Sequence, residues 1–194
     1  QLFSILSITI SLMWSLSADW QYPAIFPNTV TLDNFSNFTD TFINSLLNTV
    51  VIATIVSVIS ICLILIWLET SYLSGYKIRF FELSFFTPLI IPELSFLMGI
   101  SYFFSIFGLN GKFLSLIFVE ILYVLPYVFL IVEPPFRNIN LRYIYQAKML
   151  GKSNFIIFFK LKLMLIKKSL ILALGIGMIV SISLYTPVYF IGNS

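Results

Sequence analysis

Two carboxylates stand where carboxylates are rare. Glu93 and Glu120 each fall inside a long apolar stretch, 84–106 and 113–132. An acid in hydrocarbon surroundings is costly, so its usual reasons for being there are a substrate pathway, a proton relay or a bond to a neighbouring helix. Glu93 follows Pro92, whose kink would turn it toward a cavity. Other chemistries are excluded by residue type. The chain has no histidine, which removes His-based metal sites and Ser-His triads. Its one cysteine, Cys62, lies in an apolar run, so there is neither a disulfide framework nor a CxxC site. No GxxxxGK[ST] occurs, since the GLNGKFLS at 108–115 has the wrong spacing for a P-loop, and GxSxG and HExxH are absent too. No catalytic, cofactor-binding or metal residues are expected, and the chain is not read as an enzyme.

The elements that position those acids follow from composition. Of the 194 residues, 59% are hydrophobic and only 10% charged, where a soluble domain carries roughly a quarter charged. Mean hydropathy is +1.01. An all-α polytopic membrane protein is the class this predicts, because backbone groups in lipid must bond within their own helix. Five apolar runs are candidate spans: 2–16, 42–68, 84–106, 113–132 and 169–191. The first is short of the ~20 residues a spanning helix needs, and the chain starts at Gln1, so its upstream end is expected to be missing. A signal peptide is the rival reading of that run, but a basic leader and a small-residue cleavage site are absent.

Charge sets the direction. The loop 17–41 holds Asp19, Asp33 and Asp40 and no Lys or Arg; the segment 69–81 holds Lys77 and Arg79. Between residues 133 and 168 sit Arg137, Arg142, Lys148, Lys152, Lys160, Lys162, Lys167 and Lys168, with Glu133 the sole acid. The positive-inside rule puts this basic loop in the cytoplasm and the 17–41 loop, with Trp20, Tyr22, Pro23 and Pro27, on the periplasmic side. Trp14, Trp20 and Trp67 suit an interfacial aromatic belt. The sequons at Asn34 and Asn37 matter only in a secretory pathway.

The basic loop has internal order. Pro134 and Pro135 are expected to end the preceding helix. Asn140 can cap a short helix over 141–150 with Ile144, Ala147 and Leu150 near one face. Gly151 suits the left-handed residue after a helix end, and Ser153 or Asn154 can cap a second helix leading into the last span. The result is a helix–Gly–helix hairpin at the cytoplasmic surface. A plain basic segment held on anionic lipid is the simpler alternative.

Spacing in this loop resembles the hallmark of bacterial binding-protein-dependent ABC importer permeases, the EAA loop. That motif runs Glu-Ala-Ala, three residues, Gly, nine residues, Ile-x-Leu-Pro. Registered on Gly151, the triplet falls on Tyr145, Gln146 and Ala147, and the later positions on Leu161, Leu163 and Met164. Ala147, Gly151, Leu163 and an apolar Leu161 match; the acid, the first Ala and the Pro do not. The stretches NSLLNTVVIATIVSVISI, PLIIPELSFLMGI, VLPYVFL and SISLYTPVYFIG are similar to successive segments of the same family, with the thiamine/iron-type group nearest.

The resemblance implies a single MetI-like permease bundle over 1–194, about five spans, truncated at both ends. It implies a location in the bacterial inner membrane. Partners would be cytoplasmic ABC ATPase subunits, a periplasmic solute-binding protein, a second permease half or fused homologous half, and the lipid bilayer, with no nucleic acid. The 140–165 loop would couple the permease to the ATPase, with Ala147 allowing close packing, Gly151 a sharp turn, and Ile144 and Leu150 anchoring. Tyr145 loses the family's carboxylate there, and Met164 in place of Pro lets the second helix run on straighter. Glu93 and Glu120 would line the translocation pathway. An ion- or proton-coupled secondary transporter, relying on those two acids, is the alternative, and a membrane scaffold a third class.

Overall fold

A computed structural model describes residues 2–17, 29, 31, 40–74, 79–109 and 111–191. Asp19, Trp20, Tyr22, Pro23, Pro27, Asp33, both sequons and Lys77 lie outside the described residues. The chain is all-α: among the described residues the regular elements are helices. They fall into two compact units, Gln1–Asn48 and Thr49–Ser194.

In the first unit, α1 (Leu2–Ser15) exposes Ile5, Ile8, Leu12 and Trp14. Its hydroxyls turn back on its own carbonyls: Thr9 Oγ1 donates to Ile5 O at 2.8 Å and Ser11 Oγ to Ser7 O at 2.9 Å. Such back-bonding satisfies a hydroxyl that has no water to bond.

Helix α2 (Asp40–Ser74) has 35 residues, roughly 50 Å at 1.5 Å per residue, well over the hydrocarbon thickness. After α3 (Arg79–Ser84) and α4 (Thr87–Ile90), α5 runs Glu93–Ile106, and α6 (Phe113–Arg137) is the central helix of the second unit. One face of α6, with Val124, Val128, Val132 and Phe136, packs on Val56, Ile64 and Leu68 of α2. Val119 and Tyr123 pack on Leu97 and Phe104 of α5 and on Ile191. Then come α7 (Leu141–Met149), α8 (Asn154–Leu165), α9 (Lys167–Ser183) and α10 (Tyr185–Ile191).

Gly177 of α9 marks a close approach of three helices. A Cβ there would lie 2.8 Å from Ser57 Oγ and 3.3 Å from Val124 Cγ1, so α2, α6 and α9 meet where only hydrogen fits. Without a hydrophobic force between helices in lipid, such small-residue contacts hold bundles together. Ser57 Oγ bonds Ala53 O at 2.7 Å, which leaves no unpaired hydroxyl in the contact.

By length and apolarity, Phe42–Leu73 and Phe113–Arg137 are helices able to cross a membrane, and α8 with α9 forms a third candidate bent by 73°. The other apolar runs are divided. The run 84–106 breaks at Ile91 and Pro92, both extended, with ψ 139° and 127°. A residue before proline is pushed out of the helical region, and Pro92 at the helix start gives up a donor that had no partner there. The run 169–191 breaks at Leu184 (ψ 83°). Pro187 then sits in the first turn of α10, where a missing donor again costs little.

Three expectations need correction. Pro134 and Pro135 do not end α6; they lie inside it, and the helix stops at Arg137, with Asn138 N bonded to Pro134 O at 3.1 Å. Each gives up its own bond to the carbonyl four residues back, and the helix runs only two residues past Pro135. Leu150 does not share the face of Ile144: Ile144 is buried and Leu150 is 77% exposed. Six residues at about 100° each leave the two some 120° apart. Met164 does not let the second helix run straight on, because the chain bends at Ile166 (φ −99°, ψ 8°). Ile166 is itself buried in the main core, and the bend forms there without a proline.

Candidate functional site

The loop between α6 and α9 is built from strictly local signals. Asn140, in extended conformation, accepts the Arg142 amide on its side chain at 3.0 Å and so starts α7. The helix ends in a Schellman motif: Gly151 N bonds Lys148 O at 2.9 Å and Lys152 N bonds Ala147 O at 3.1 Å. That closure needs the left-handed Gly151, whose φ is +71°. Ser153 then caps α8, its hydroxyl accepting the Ile156 amide at 3.4 Å.

Helix α7 has two unlike faces. Ile144 is 3% exposed and Ala147 half-buried, facing inward. Ile144 reaches a crevice of about 320 Å³ between α2, the end of α6 and α7, lined also by Leu68, Ser71, Tyr72, Phe136 and Lys162. Outward lie Tyr145, Gln146, Met149 and Leu150, all exposed, with Met149 at 90%. The pairs 145/149 and 146/150 have i,i+4 spacing, so they form one stripe at the tip of the hairpin. A short, firmly capped helix thus carries exposed Tyr145, Met149 and Leu150 at its tip.

In α8, Leu161 and Leu163 are half-buried, Leu163 against the main core, and Met164 is exposed. Residues Ile157–Lys162 form a π-helical run, a wide-turn geometry frequent at functional sites. Its last residue, Lys162, was read from the sequence only as one loop cation among eight. It is fully buried and donates to Glu69 Oε2 of α2 at 2.6 Å, with its ammonium 3.8 Å from the Tyr72 ring centroid. The other acids of this region are also paired. Arg137 bridges Glu82 and Glu133, the latter Nε–Oε1 contact being 2.7 Å. Contacts 93 residues apart leave no local signal; the available hint was an excess of cations facing a few acids at span ends.

The two acids of the apolar runs are in different settings. Glu120 is 2% exposed and accepts a hydrogen bond from Ser181 Oγ, joining α6 to α9. Glu93 is exposed at the first position of α5, where the helix dipole favours an anion. They share no hydrogen bond or ion pair among the described residues. No cluster of His, Cys, Asp and Glu that could hold a metal occurs among those residues.

No protein-family model matches the chain. Over 149 residues it is 29% identical to the inner membrane ABC transporter permease protein YnjC of Escherichia coli (strain K12), a match covering 76% of this chain and 28% of the relative. The chain thus spans little more than a quarter of that relative's length. It is an all-α membrane protein similar to an ABC transporter permease.

Proposed function

We propose that this chain is the membrane-embedded part of a binding-protein-dependent ABC importer permease, seated in the bacterial inner membrane. The similarity to an inner membrane ABC transporter permease over three quarters of the chain carries the reading. In it, the basic loop 133–168 faces the cytoplasm and α7 is the coupling helix. Its stripe of Tyr145, Met149 and Leu150 seats in a cleft of the ATPase subunit, while Ile144 and Ala147 hold it to the permease body. The permease does no bond chemistry. ATP-driven closure of two ATPase subunits rocks paired permease halves between inward-open and outward-open states, and a periplasmic binding protein delivers the solute. The segments similar to the thiamine/iron-type group favour that branch. Glu93, exposed beside a helix break, is the better pathway candidate; Glu120 contributes mainly by holding α6 to α9.

The test is affinity purification of the full-length protein from its native membrane in mild detergent. Co-elution of an ATPase subunit, lost when Met149 and Leu150 are both changed to Asp, is the expected outcome. Solute uptake driven by a proton gradient in vesicles lacking any ATPase would overturn the reading in favour of a secondary carrier.

A further inference from the structure

We propose that the Glu69–Lys162 pair is a positioning strut that carries movement of the α7–α8 hairpin into the membrane-crossing helix α2. This rests on the coupling role given above to α7. Of the eight cations between residues 133 and 168, Lys162 alone is buried; Lys148, Lys152, Lys160, Lys167 and Lys168 are all exposed. Its ammonium meets the Glu69 carboxylate at 2.6 Å, the Tyr72 ring at 3.8 Å and the Phe136 ring at 5.3 Å. Glu69 and Tyr72 are three residues apart, on one face of α2. One point on α8 is therefore gripped from α2 and from the end of α6.

Stability alone does not call for an ion pair here, because apolar residues of similar volume usually fill such a site equally well. What the pair adds is direction. Apolar surfaces slide past one another at little cost, whereas a short, largely buried ion pair holds one register between two helices. The surroundings fit that use. Hairpin and pair are connected through the Gly151 turn, and the crevice lined by Ile144, Tyr72 and Lys162 leaves room for α7 to shift over the pair. The wide π-helical turn that ends at Lys162 sets the direction in which that side chain leaves α8.

Cys62 offers the readout. It is exposed on α2, seven residues before Glu69, about two helical turns. The full-length protein with its ATPase subunits would carry a thiol-reactive, environment-sensitive fluorophore at Cys62, any cysteines beyond this chain being replaced. Emission is compared before and after trapping with ATP and vanadate. The unaltered pair should give a spectral shift. Glu69→Leu combined with Lys162→Met removes both charges and leaves no orphan; it should cut the shift at least fivefold while ATP hydrolysis continues. The reversed pair, Glu69→Lys with Lys162→Glu, should regain more than half of it. The shift is measured per trapped complex, so a loss of folded protein does not imitate the effect. An undiminished shift in the apolar double variant would overturn the strut, as would trapping that leaves the Cys62 signal of the unaltered protein unmoved. Failure of any ATPase subunit to assemble would remove the coupling reading itself, and the strut with it.

Discussion

Replacing Gly151 isolates the turn of the hairpin from everything around it. A Cβ built there meets nothing within 4 Å, so no neighbour is pushed and the whole penalty is backbone conformation. At φ +71° an ordinary L-residue loses about 1–2 kcal/mol. A β-branched residue lies at the upper end of that range, and Asn, which visits this region readily, near the bottom. About 2 kcal/mol for Gly151→Val corresponds to roughly a 30-fold fall in the ratio of closed to open turn. The Gly151–Lys148 and Lys152–Ala147 backbone bonds would open with it. ATP hydrolysis by the assembled complex in nanodiscs, alongside its thermal unfolding, is the assay. The expected order is Gly, then Asn, then Ala, then Val in hydrolysis, with insertion and the unfolding midpoint little changed. Equal hydrolysis by the Val variant would refute the reasoning, and so would an Asn variant as impaired as Val.

Gly177→Ala should destabilise the bundle by about 1–3 kcal/mol through overpacking, since its Cβ would sit 2.8 Å from Ser57 Oγ; adding Ser57→Gly should return much of the loss in an SDS unfolding titration. Ser181→Ala strips the hydrogen bond from Glu120 and should cost about 1 kcal/mol in the same titration, the scale measured for such bonds between membrane helices. Asn140→Ala should lower the stability of α7 by about 1 kcal/mol while Asn140→Asp leaves it intact, read as hydrogen exchange of the amides of α7.

What could be read from residue order was whatever is decided within a few residues. The caps of α7 and α8 at Asn140 and Ser153, and the left-handed turn at Gly151, follow from side chains that reach one or two peptide units away. Prolines show the limit of such reading. Pro92 breaks the chain because Ile91 before it is extended, yet Pro134 and Pro135 lie within α6 close to its end, and residue type alone does not separate these cases. The bend at Ile166 escaped because it falls at a buried isoleucine, with no proline or glycine to mark it. Lys162 escaped because its partner lies 93 residues away. Glu120 was legible as an unusual acid, but its partner Ser181 was not, since a serine in an apolar helix carries no mark of its neighbour.

The glycine contact also governs how the bundle can rearrange. At Gly177 even one added methyl would meet Ser57 and Val124, so α2, α6 and α9 approach there as closely as a glycine allows. A rearrangement that keeps this contact moves the three helices together. The backbone is interrupted at both ends of α9, at Ile166 and at Leu184, so bending at these two residues would leave that contact undisturbed. Substitutions that stiffen them should slow switching between states while leaving each state as stable as before.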